Sequence, residues 1–212
     1  MGSEMCIRDR DDTNLSNESD DVDDGKYNVL NFSLANARSL SGKIKSLIDM
    51  FNDAQLDFAI LNETWFQCTR KLEGDLEDMK LGENIELICK NRQSRGGGVA
   101  IAFKNTRVKL KRLPIRGNKF ELVAAVGRSM SDKRTIAVYS LYIPPKQSAA
   151  ATKEMYSCIS DSIEKMKLDY ADPAIIIAGD TNRRELGTCV EDYPDIVVLD
   201  TCLLYTSDAA DE

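Results

Sequence analysis

The sequence predicts an α/β fold in which two mixed β-sheets pack face to face with helices outside, a four-layer α-β-β-α sandwich. Apolar runs rich in β-branched residues predict strands, and two other segments repeat apolar residues with the period of a helix. Several predicted strands follow one another at hairpin spacing, which implies antiparallel pairing, whereas strand-helix-strand segments imply parallel pairing. This combination favours mixed sheets over a parallel doubly wound sheet.

Both ends of the chain resemble translated sequencing adapter. Residues 2–10 resemble one translated reading frame of a transposase sequencing adapter, and residues 202–212 resemble the opposite strand of the same adapter. We therefore treat residues 1–10 and 202–212 as adapter-like scars. Residues 11–25 are polar and acidic and contain no aromatic residue, which predicts a disordered leader. The domain is expected over residues 26–201, and the adapter-like ends predict that it is truncated.

The charge of the chain differs between its ends and its predicted domain. The whole chain carries 28 basic and 35 acidic residues, but the scars and residues 11–24 hold 2 of the bases and 12 of the acids. Residues 25–201 are therefore mildly basic, with 26 basic and 23 acidic residues, which permits a nucleic-acid partner without requiring one. Histidine is absent, which removes the most common general base and the usual zinc ligands.

Cysteine spacing and the apolar runs indicate where the protein acts. Four cysteines lie outside the scars, far apart and without a CxxC pair, as is typical of free thiols in a reducing compartment: Cys68, Cys89, Cys158 and Cys189. No signal peptide is visible, and no apolar run reaches the length of a transmembrane span. We expect an intracellular protein, nuclear or cytoplasmic, that is neither secreted nor a partner of membranes.

The first half of the domain predicts two strands around a helix. Residues 27–34 alternate loosely, as is typical of a strand, and the apolar run at residues 56–61 predicts a second strand. Between them, apolar residues at i, i+3, i+4 and i+7 predict one helical face, with Ser39 or Ser41 as the N-cap: Ile44, Leu47, Ile48 and Phe51. Residues 71–82 are charged and irregular, so a surface excursion with a short helix is expected there.

The second half predicts more strands and one further helix. Residues 85–90 and 97–103 predict strands on either side of a glycine-rich turn, and three more follow at hairpin spacing: residues 108–113, 120–126 and 135–142. A second amphipathic helix is predicted by four apolar residues: Met155, Ile159, Ile163 and Met166. Pro173 ends this helix, and strands at residues 174–178 and 195–200 complete the domain.

Polar side chains follow several of the predicted strands at points where packing does not call for them: Asn36, Glu63, Tyr142, Asp180 and Asn182. Open α/β layouts place their chemistry at the carboxyl ends of strands. Gly179 is expected to let the backbone turn sharply, so that Asp180 and Asn182 project from the strand end. The alternative is an Asx turn, in which these two side chains bond only their own backbone.

These residue types suit a hard divalent cation, Mg²⁺ or Mn²⁺, which is typically held by one or two carboxylates with water and phosphate oxygens. Glu63 is the natural protein ligand. The amides of Asn36 and Asn182 and the Tyr142 hydroxyl suit donation to phosphoryl oxygens, and Asp180 suits orienting a water or moving a proton. The alternatives are a solvated loop acid for Glu63 and an edge-of-core tyrosine for Tyr142.

Five short motifs occur in one order along the chain: Asn-Ala-Arg-Ser-Leu at Asn36, Asn-Glu-Thr-Trp around Glu63, Arg-Gly-Gly-Gly-Val at Arg95, Tyr-Ile-Pro-Pro at Tyr142 and Gly-Asp-Thr-Asn at Gly179. Together they resemble the endonuclease/exonuclease/phosphatase superfamily. The first three resemble, more narrowly, the apurinic-endonuclease-like domain of non-LTR retrotransposons. The resemblance spans residues 27–200.

This resemblance implies magnesium-dependent nicking of target DNA that primes reverse transcription, by a domain whose polyprotein also carries a downstream reverse transcriptase. It implies that Asn36 and Glu63 are metal-site residues and that Tyr142 contacts phosphate. It also implies that Asp180 and Asn182 act on the nucleophile and the scissile phosphate.

Two departures from the family pattern affect what this chain is expected to do. Thr181 stands where the family usually has an apolar residue. The family's closing strands, with a histidine that contacts the scissile phosphate, have no counterpart, so we expect this chain by itself to be inactive or nearly so. Two other functions stay open: a phosphatase or phosphodiesterase of the same superfamily acting on lipid or inositol phosphates, and a degenerate, non-catalytic fragment.

DNA is the expected partner, and the cations of residues 104–119, which include no acid, offer a contact surface. Lys109 and Lys111 flank Leu110 and therefore share the outer face of a strand. Arg112 and Arg95 are further candidates for nucleic-acid contact. The alternative for this run is a solvated face.

Overall fold

The computed structural model describes residues 29–66, 76–92, 96–117, 119–182, 186, 190, 193 and 196–200. The first elements of this part are β1 (Phe32–Asn36), α1 (Ile44–Asp53), β2 (Phe58–Asn62), β3 (Leu76–Lys80), β4 (Ile85–Lys90) and β5 (Val99–Lys104). They are followed by β6 (Val108–Leu113), β7 (Glu121–Ser129), β8 (Thr135–Tyr142), α2 (Ala149–Asp169), β9 (Ala174–Asp180) and β10 (Val197–Asp200). Neither of these helices combines the length and apolar character needed to cross a membrane.

The strands form two five-stranded mixed sheets, as predicted. The first sheet has the order β1-β2-β5-β4-β3, in which β1 and β2 are parallel and the other neighbours are antiparallel. The second has the order β10-β9-β8-β7-β6, in which β8, β9 and β10 are parallel and β6, β7 and β8 are antiparallel. The parallel neighbours β1–β2 and β8–β9 are each joined through a helix, since a parallel connection must cross back over the sheet. Most of the connection between the parallel strands β9 and β10 lies outside the described residues.

Strand β2 shows how the sheets divide their side chains. Phe58 and Ile60 lie in the core between the two sheets, whereas Ala59 and Leu61 lie in the core under α1. Successive residues of a strand face opposite sides, so a strand buried on both faces reads as one continuous apolar run. This is why residues 56–61 carried a strong strand signal.

The helices cover the outer faces of the two sheets. Leu47 and Phe51 of α1 pack in the cluster that includes Leu61, on the outer side of the first sheet. Apolar residues of α2 cover the outer side of the second sheet, where they meet Tyr139 and Ile177: Met155, Ile159, Ile163 and Met166. The layers therefore run α1, first sheet, second sheet, α2, which confirms the four-layer sandwich.

The predicted serine cap of α1 is wrong. The N-cap residue is Lys43, and no side chain caps the helix. Ser39 lies at a φ of 83° and donates its backbone N–H to the Glu63 carbonyl at 2.8 Å, while its hydroxyl accepts from the Ser41 N–H at 3.3 Å. These serines shape the loop that supports Glu63, so they are unavailable to the helix.

The prediction of a short helix within residues 71–82 is also wrong for the residues of this range that the structure describes. Residues 76–80 form β3, which pairs antiparallel with β4 at the edge of the first sheet. Met79 packs on the cluster under α1, but most of the segment is polar because an edge strand has few buried positions. Residues 71–75 lie outside the described part of the chain.

Gly179 has a different role from the one predicted. It lies inside β9 rather than at a turn, and the chain turns at Asn182, whose φ is 48°. A Cβ at Gly179 would lie 1.9 Å from the carbonyl oxygen of Leu141 in β8. The glycine therefore permits close approach of β8 and β9, which carry Tyr142 and Asp180.

Candidate active site

The polar strand ends gather at one edge of the sandwich. In the first sheet, Asn36 at the end of β1 lies opposite Asn62 at the end of β2. In the second sheet, Tyr142 at the end of β8 lies between Asp180 on β9 and Glu121 on β7. The register of the two sheets thus collects, at strand ends, the residues that are far apart in sequence.

Hydrogen bonds join the two sheets at this edge. The Asn62 Nδ2 donates to the Leu141 carbonyl at 2.5 Å, and the Ser140 hydroxyl donates to the Leu61 carbonyl at 3.3 Å. Asn62 is fully buried, and its Oδ1 is a buried acceptor with no hydrogen-bond partner among the described residues. Because Glu63 follows Asn62 directly, the Asn62 bond sets the position of Glu63 relative to the second sheet.

Glu63 has a backbone conformation that L-residues disfavour. Its φ is 52°, and that of Trp65 is 54°. The loop after β1 holds this segment from one side, because Ser39 N–H donates to the Glu63 carbonyl at 2.8 Å and Leu40 N–H donates to the Thr64 carbonyl at 2.9 Å. Strained backbone persists where its surroundings over-determine it, and such places cluster at functional sites.

A glycine segment, residues 96–98, holds the same backbone from the other side. The Trp65 N–H donates to the Gly97 carbonyl at 2.9 Å, and the Thr64 N–H donates to the Gly98 carbonyl at 3.3 Å. The φ values of Gly96, Gly97 and Gly98 are 86°, 71° and 88°, a conformation that favours glycine. The segment therefore acts as a backbone brace for the residues after Glu63.

Tyr142 meets Glu63 across the two sheets. The pKa of Tyr142 is raised to about 12, first by burial and then by the negative charges of Glu63, Asp180 and Glu121 and its hydrogen bond with the Glu63 carboxylate. The phenol is therefore protonated at neutral pH and can act as a hydrogen-bond donor. Glu63 is the carboxylate that contacts the hydroxyl, while Asp180 and Glu121 act on it through their charge.

Some of the candidate site residues also make hydrogen bonds within local turns. The Asn36 Oδ1 accepts from the Arg38 N–H at 3.1 Å, and the Asp180 Oδ1 accepts from the Asn182 N–H at 3.0 Å. The Asn182 Nδ2 donates to the Ile143 carbonyl at 2.8 Å. The Asx turn considered as an alternative for Asp180 is therefore present. It does not remove Asp180 from the site, because its charge still acts on Tyr142.

Glu121 is a site residue that sequence reasoning missed. Its side chain is only 13% exposed, its Oε2 accepts from the Gly98 N–H at 2.5 Å, and its Oε1 lies 3.4 Å from Arg92 Nη1. Burial raises the pKa of its carboxyl, against smaller lowering effects of the Gly98 bond and of Arg92 and Lys90. Glu121 lies opposite Tyr142 in the observed register of β7 and β8. Counting from the predicted strand ends, residues 126 and 135, pairs it with Ser140 instead, so no local signal in the sequence identifies it.

The candidate nucleic-acid contacts do not gather at this edge. Lys109 and Lys111 are exposed on β6, and Lys109 lies opposite Arg128, which in turn lies opposite Thr135 at the start of β8. Seven residues separate that rung from Tyr142, or about 23 Å along the strand. Arg112 is paired with Asp78 and also donates to the Cys89 carbonyl. Arg95 lies outside the described residues.

The charges and oxygen atoms at this edge fit a divalent cation. Three carboxylates raise the pKa of one tyrosine there, so the local charge is negative. Within the described ranges, no group of three carboxylate, cysteine or histidine side chains forms a ligand set of its own. Mg²⁺ does not need one, because it keeps several waters and binds one or two carboxylates together with substrate phosphate.

Known proteins resemble this chain in sequence pattern and in fold. No curated protein matches the sequence. In structure, the chain is similar to the AP endonuclease LMAP from Leishmania major, with 18% identity and a TM-score of 0.50 over 71% of this chain and 54% of that one. It is also similar to the endonuclease domain of TRAS1, a telomere-specific non-LTR retrotransposon, with 13% identity and a TM-score of 0.48 over 76% of this chain and 70% of that one.

A third similar structure is a humanized TDP2 from D. rerio, with 15% identity and a TM-score of 0.45 over 79% of this chain and 67% of that one. At such identities the likeness concerns the fold alone, and the chain spans between 54% and 70% of these three structures. The model of the Endonuclease/Exonuclease/phosphatase family matches residues 27–188, in both sheets of the sandwich and through the site edge. The chain therefore belongs to the endonuclease/exonuclease/phosphatase family.

Proposed function

We propose that this domain is a metal-dependent endonuclease that nicks DNA, from a retrotransposon polyprotein that also carries a downstream reverse transcriptase. Family membership supports the reaction class, hydrolysis of phosphoester bonds. The observation that carries the finer proposal is the meeting of Glu63 and Tyr142, with the charge of Asp180, at the edge where the two sheets join. The retroelement origin is supported by the motifs at Asn36, Glu63 and Arg95.

Glu63 and Asn36 are proposed to hold the metal ion, Mg²⁺ or Mn²⁺. When bound, such an ion supplies positive charge that stabilises the charge developing on phosphoryl and leaving-group oxygens. Glu63 is suited to this role because its backbone is fixed by bonds from two sides, so that its carboxylate needs little reorganisation. The charge of Glu63 also orients the Tyr142 hydroxyl through their hydrogen bond.

Tyr142, Asp180 and Asn182 are proposed to act on the phosphate and the water. Tyr142 is a neutral phenol at physiological pH, with a pKa raised to about 12. Its single O–H, which bonds the Glu63 carboxylate in the free protein, would turn to a phosphoryl oxygen when a metal ion occupies that carboxylate. Asp180, as a carboxylate beside that phenol, can orient the attacking water or accept its proton. Asn182 is held by its bond to the Ile143 carbonyl, which favours a fixed amide position near the phosphate.

The proposed substrate is DNA, acted on inside the cell, in the nucleus or the cytoplasm. Lys109 and Lys111 are proposed as backbone-phosphate contacts on DNA away from the cleaved bond, since exposed cations without a described ion-pair partner suit that role. Arg95, which lies outside the described residues, is proposed as a further contact from its motif alone. Arg112 is a weaker candidate because Asp78 already neutralises it. The chain on its own is proposed to be inactive or nearly so, because it contains no histidine.

Supercoiled-plasmid nicking with Mg²⁺ tests this function. The assay compares this chain with a version extended by the closing strands of the family, each as wild type, Glu63→Ala and Glu83→Ala. Glu83 is an exposed acid in the turn between β3 and β4 and serves as the matched control. We expect nicking by the extended version alone, lost in Glu63→Ala and retained in Glu83→Ala.

Other results would replace the proposal. Hydrolysis of inositol or lipid phosphates without plasmid nicking would identify a phosphatase of the same family. Extended protein that folds but cleaves neither substrate would indicate a degenerate, non-catalytic domain. Nicking that survives Glu63→Ala would show that the metal site lies elsewhere.

A further inference from the structure

We propose that Glu121 is a positioning residue for the metal site: its carboxylate fixes the glycine segment 96–98, which in turn fixes the backbone that presents Glu63. The inference rests on the proposed function in one respect, that Glu63 is the metal ligand. It adds a residue that lies about 60 positions from Glu63 in sequence and that no motif of the chain includes.

Both carboxylate oxygens of Glu121 have partners within the protein. Oε2 accepts from the Gly98 N–H at 2.5 Å, and Oε1 faces Arg92 Nη1 at 3.4 Å. A Cβ at Gly97 would lie 2.7 Å from both oxygens, so the carboxylate packs directly on the glycine backbone. A buried charge needs such partners, and here the partners are the glycine segment itself and one arginine.

The contact passes through Gly97 and Gly98 to the two residues that follow Glu63. Gly98 donates its N–H to Glu121 and accepts the Thr64 N–H on its carbonyl at 3.3 Å, while Gly97 accepts the Trp65 N–H at 2.9 Å. Three glycines in the left-handed region would move freely without a fixed partner. Glu121 supplies that partner, because its own strand is anchored in the second sheet.

The other end of this connection returns to Glu63 through Tyr142. Glu121 and Tyr142 lie opposite each other on β7 and β8, and the Tyr142 hydroxyl is hydrogen-bonded to the Glu63 carboxylate. One pair of residues on the second sheet therefore holds both the backbone after Glu63 and its side chain. Such supporting contacts orient metal ligands, and their loss typically lowers metal affinity by about 10- to 100-fold.

The test uses this chain without added strands and does not depend on catalysis. Amide hydrogen exchange is measured in the metal-free wild type and in the Glu121→Ala, Glu121→Gln and Glu86→Ala variants. Glu86 is the matched control. It is a half-buried glutamate near the start of β4, at the end of that strand far from the glycine segment, and it accepts one hydrogen bond, from Asn105 Nδ2 at 3.0 Å. Mn²⁺ affinity of the same proteins and of Glu63→Ala is then measured by calorimetry.

We expect Glu121→Ala to speed exchange of the Thr64, Trp65 and Gly98 amides by about tenfold or more and to weaken Mn²⁺ binding by about 10- to 100-fold. Glu121→Gln keeps an acceptor for Gly98, so it should stay within about threefold of wild type in both measurements. Glu86→Ala should match wild type at these amides and in Mn²⁺ affinity. Glu63→Ala should abolish binding.

Three results would overturn the proposal. If those amides of Glu121→Ala exchanged at the wild-type rate, the Glu121 carboxylate would not fix the glycine segment. Mn²⁺ binding lost equally in Glu121→Gln and Glu121→Ala would make Glu121 a direct ligand, and unchanged affinity in both would leave it a structural residue only. Failure of the metal proposal itself would look different, since Glu63→Ala would then bind Mn²⁺ as wild type does.

Discussion

The Nδ2 of Asn62 donates a hydrogen bond across the two sheets to the main-chain oxygen of Leu141, at 2.5 Å. Each of these residues directly precedes a residue of the candidate site, Glu63 in the first sheet and Tyr142 in the second. One fully buried contact thus sets the distance over which Glu63 and Tyr142 meet. The site is built where two sheets are tied, not on a free loop.

Replacing Asn62 by aspartate should therefore strongly destabilise the domain. The change keeps the shape of the side chain but removes the donor and turns a carboxylate toward a carbonyl oxygen. We expect a loss of about 3 kcal/mol or more at neutral pH, since an uncompensated buried charge costs that much. Urea unfolding followed by circular dichroism measures it, with the exposed Asn84→Asp as control. Equal unfolding midpoints for the two variants would contradict the prediction.

Gly179→Ala should prevent the normal approach of β8 and β9. The added Cβ would lie 1.9 Å from the Leu141 carbonyl oxygen, and neither backbone can move without breaking the sheet. We expect the free energy of unfolding to fall by about 3 kcal/mol, the upper end of the usual cost of overpacking. Gly82→Ala is the control for backbone strain without a clash, because Gly82 has a φ of 88° but a Cβ there would have no neighbour within 4 Å. Its free energy of unfolding should fall by about 1–2 kcal/mol. Similar denaturant midpoints would show that close approach is not the reason for Gly179.

The buried Tyr139 should make stability depend on alkaline pH. Burial raises the pKa of Tyr139 to about 12, against a smaller lowering effect of its bond to Ser162. The folded state favours the neutral phenol, so this contribution is complete below pH 10 and is lost between pH 10 and 12, in total roughly 3 kcal/mol. Denaturant midpoints of wild type and Tyr139→Phe should therefore diverge at high pH, with wild type falling faster. Parallel curves would contradict the prediction.

Charge reversal of Lys109 and Lys111 should weaken DNA binding uniformly across sequences. If both lysines contact phosphates, the Lys109→Glu/Lys111→Glu variant should reduce the slope of log affinity against log salt by about 1.8. Fluorescence anisotropy with a labelled duplex measures the slope, and Lys45→Glu/Lys165→Glu, an equal charge change at exposed helix positions, is the control. Equal slopes in the two variants would identify β6 as a solvated face.

Arg112→Ala should behave differently from the lysine variants. Its guanidinium already pairs with Asp78 and donates to the Cys89 carbonyl, so DNA would have to displace those partners. We expect the slope of log affinity against log salt to stay unchanged. The free energy of unfolding should fall by about 0.5–1.5 kcal/mol, because a hydrogen-bonding partner is removed. A lower salt slope without any loss of stability would place Arg112 among the DNA contacts instead.

Much of the fold was predictable because local patterns reflect local burial. The strands at residues 85–90, 108–113 and 135–142 have the predicted bounds, since apolar alternation and turn residues mark both ends. Strand β3 was missed because an edge strand buries little and its sequence, Leu-Glu-Asp-Met-Lys, lacks a clear period. The cap of α1 was mispredicted because Ser39 serves a long-range bond with Glu63 instead.

The sequence by itself determined the composition of the site: which strands end in polar residues, and that Glu63, Asp180 and Asn182 stand at such ends. Only the tertiary structure decided which groups meet. The approach of Glu63 to Tyr142, and the bonds that Glu121 makes to the glycine segment, join residues about 20 to 80 positions apart, and no local periodicity records such pairings. The physical reason is that strand register and sheet packing are set by the whole core, and the chemistry of the edge follows from them.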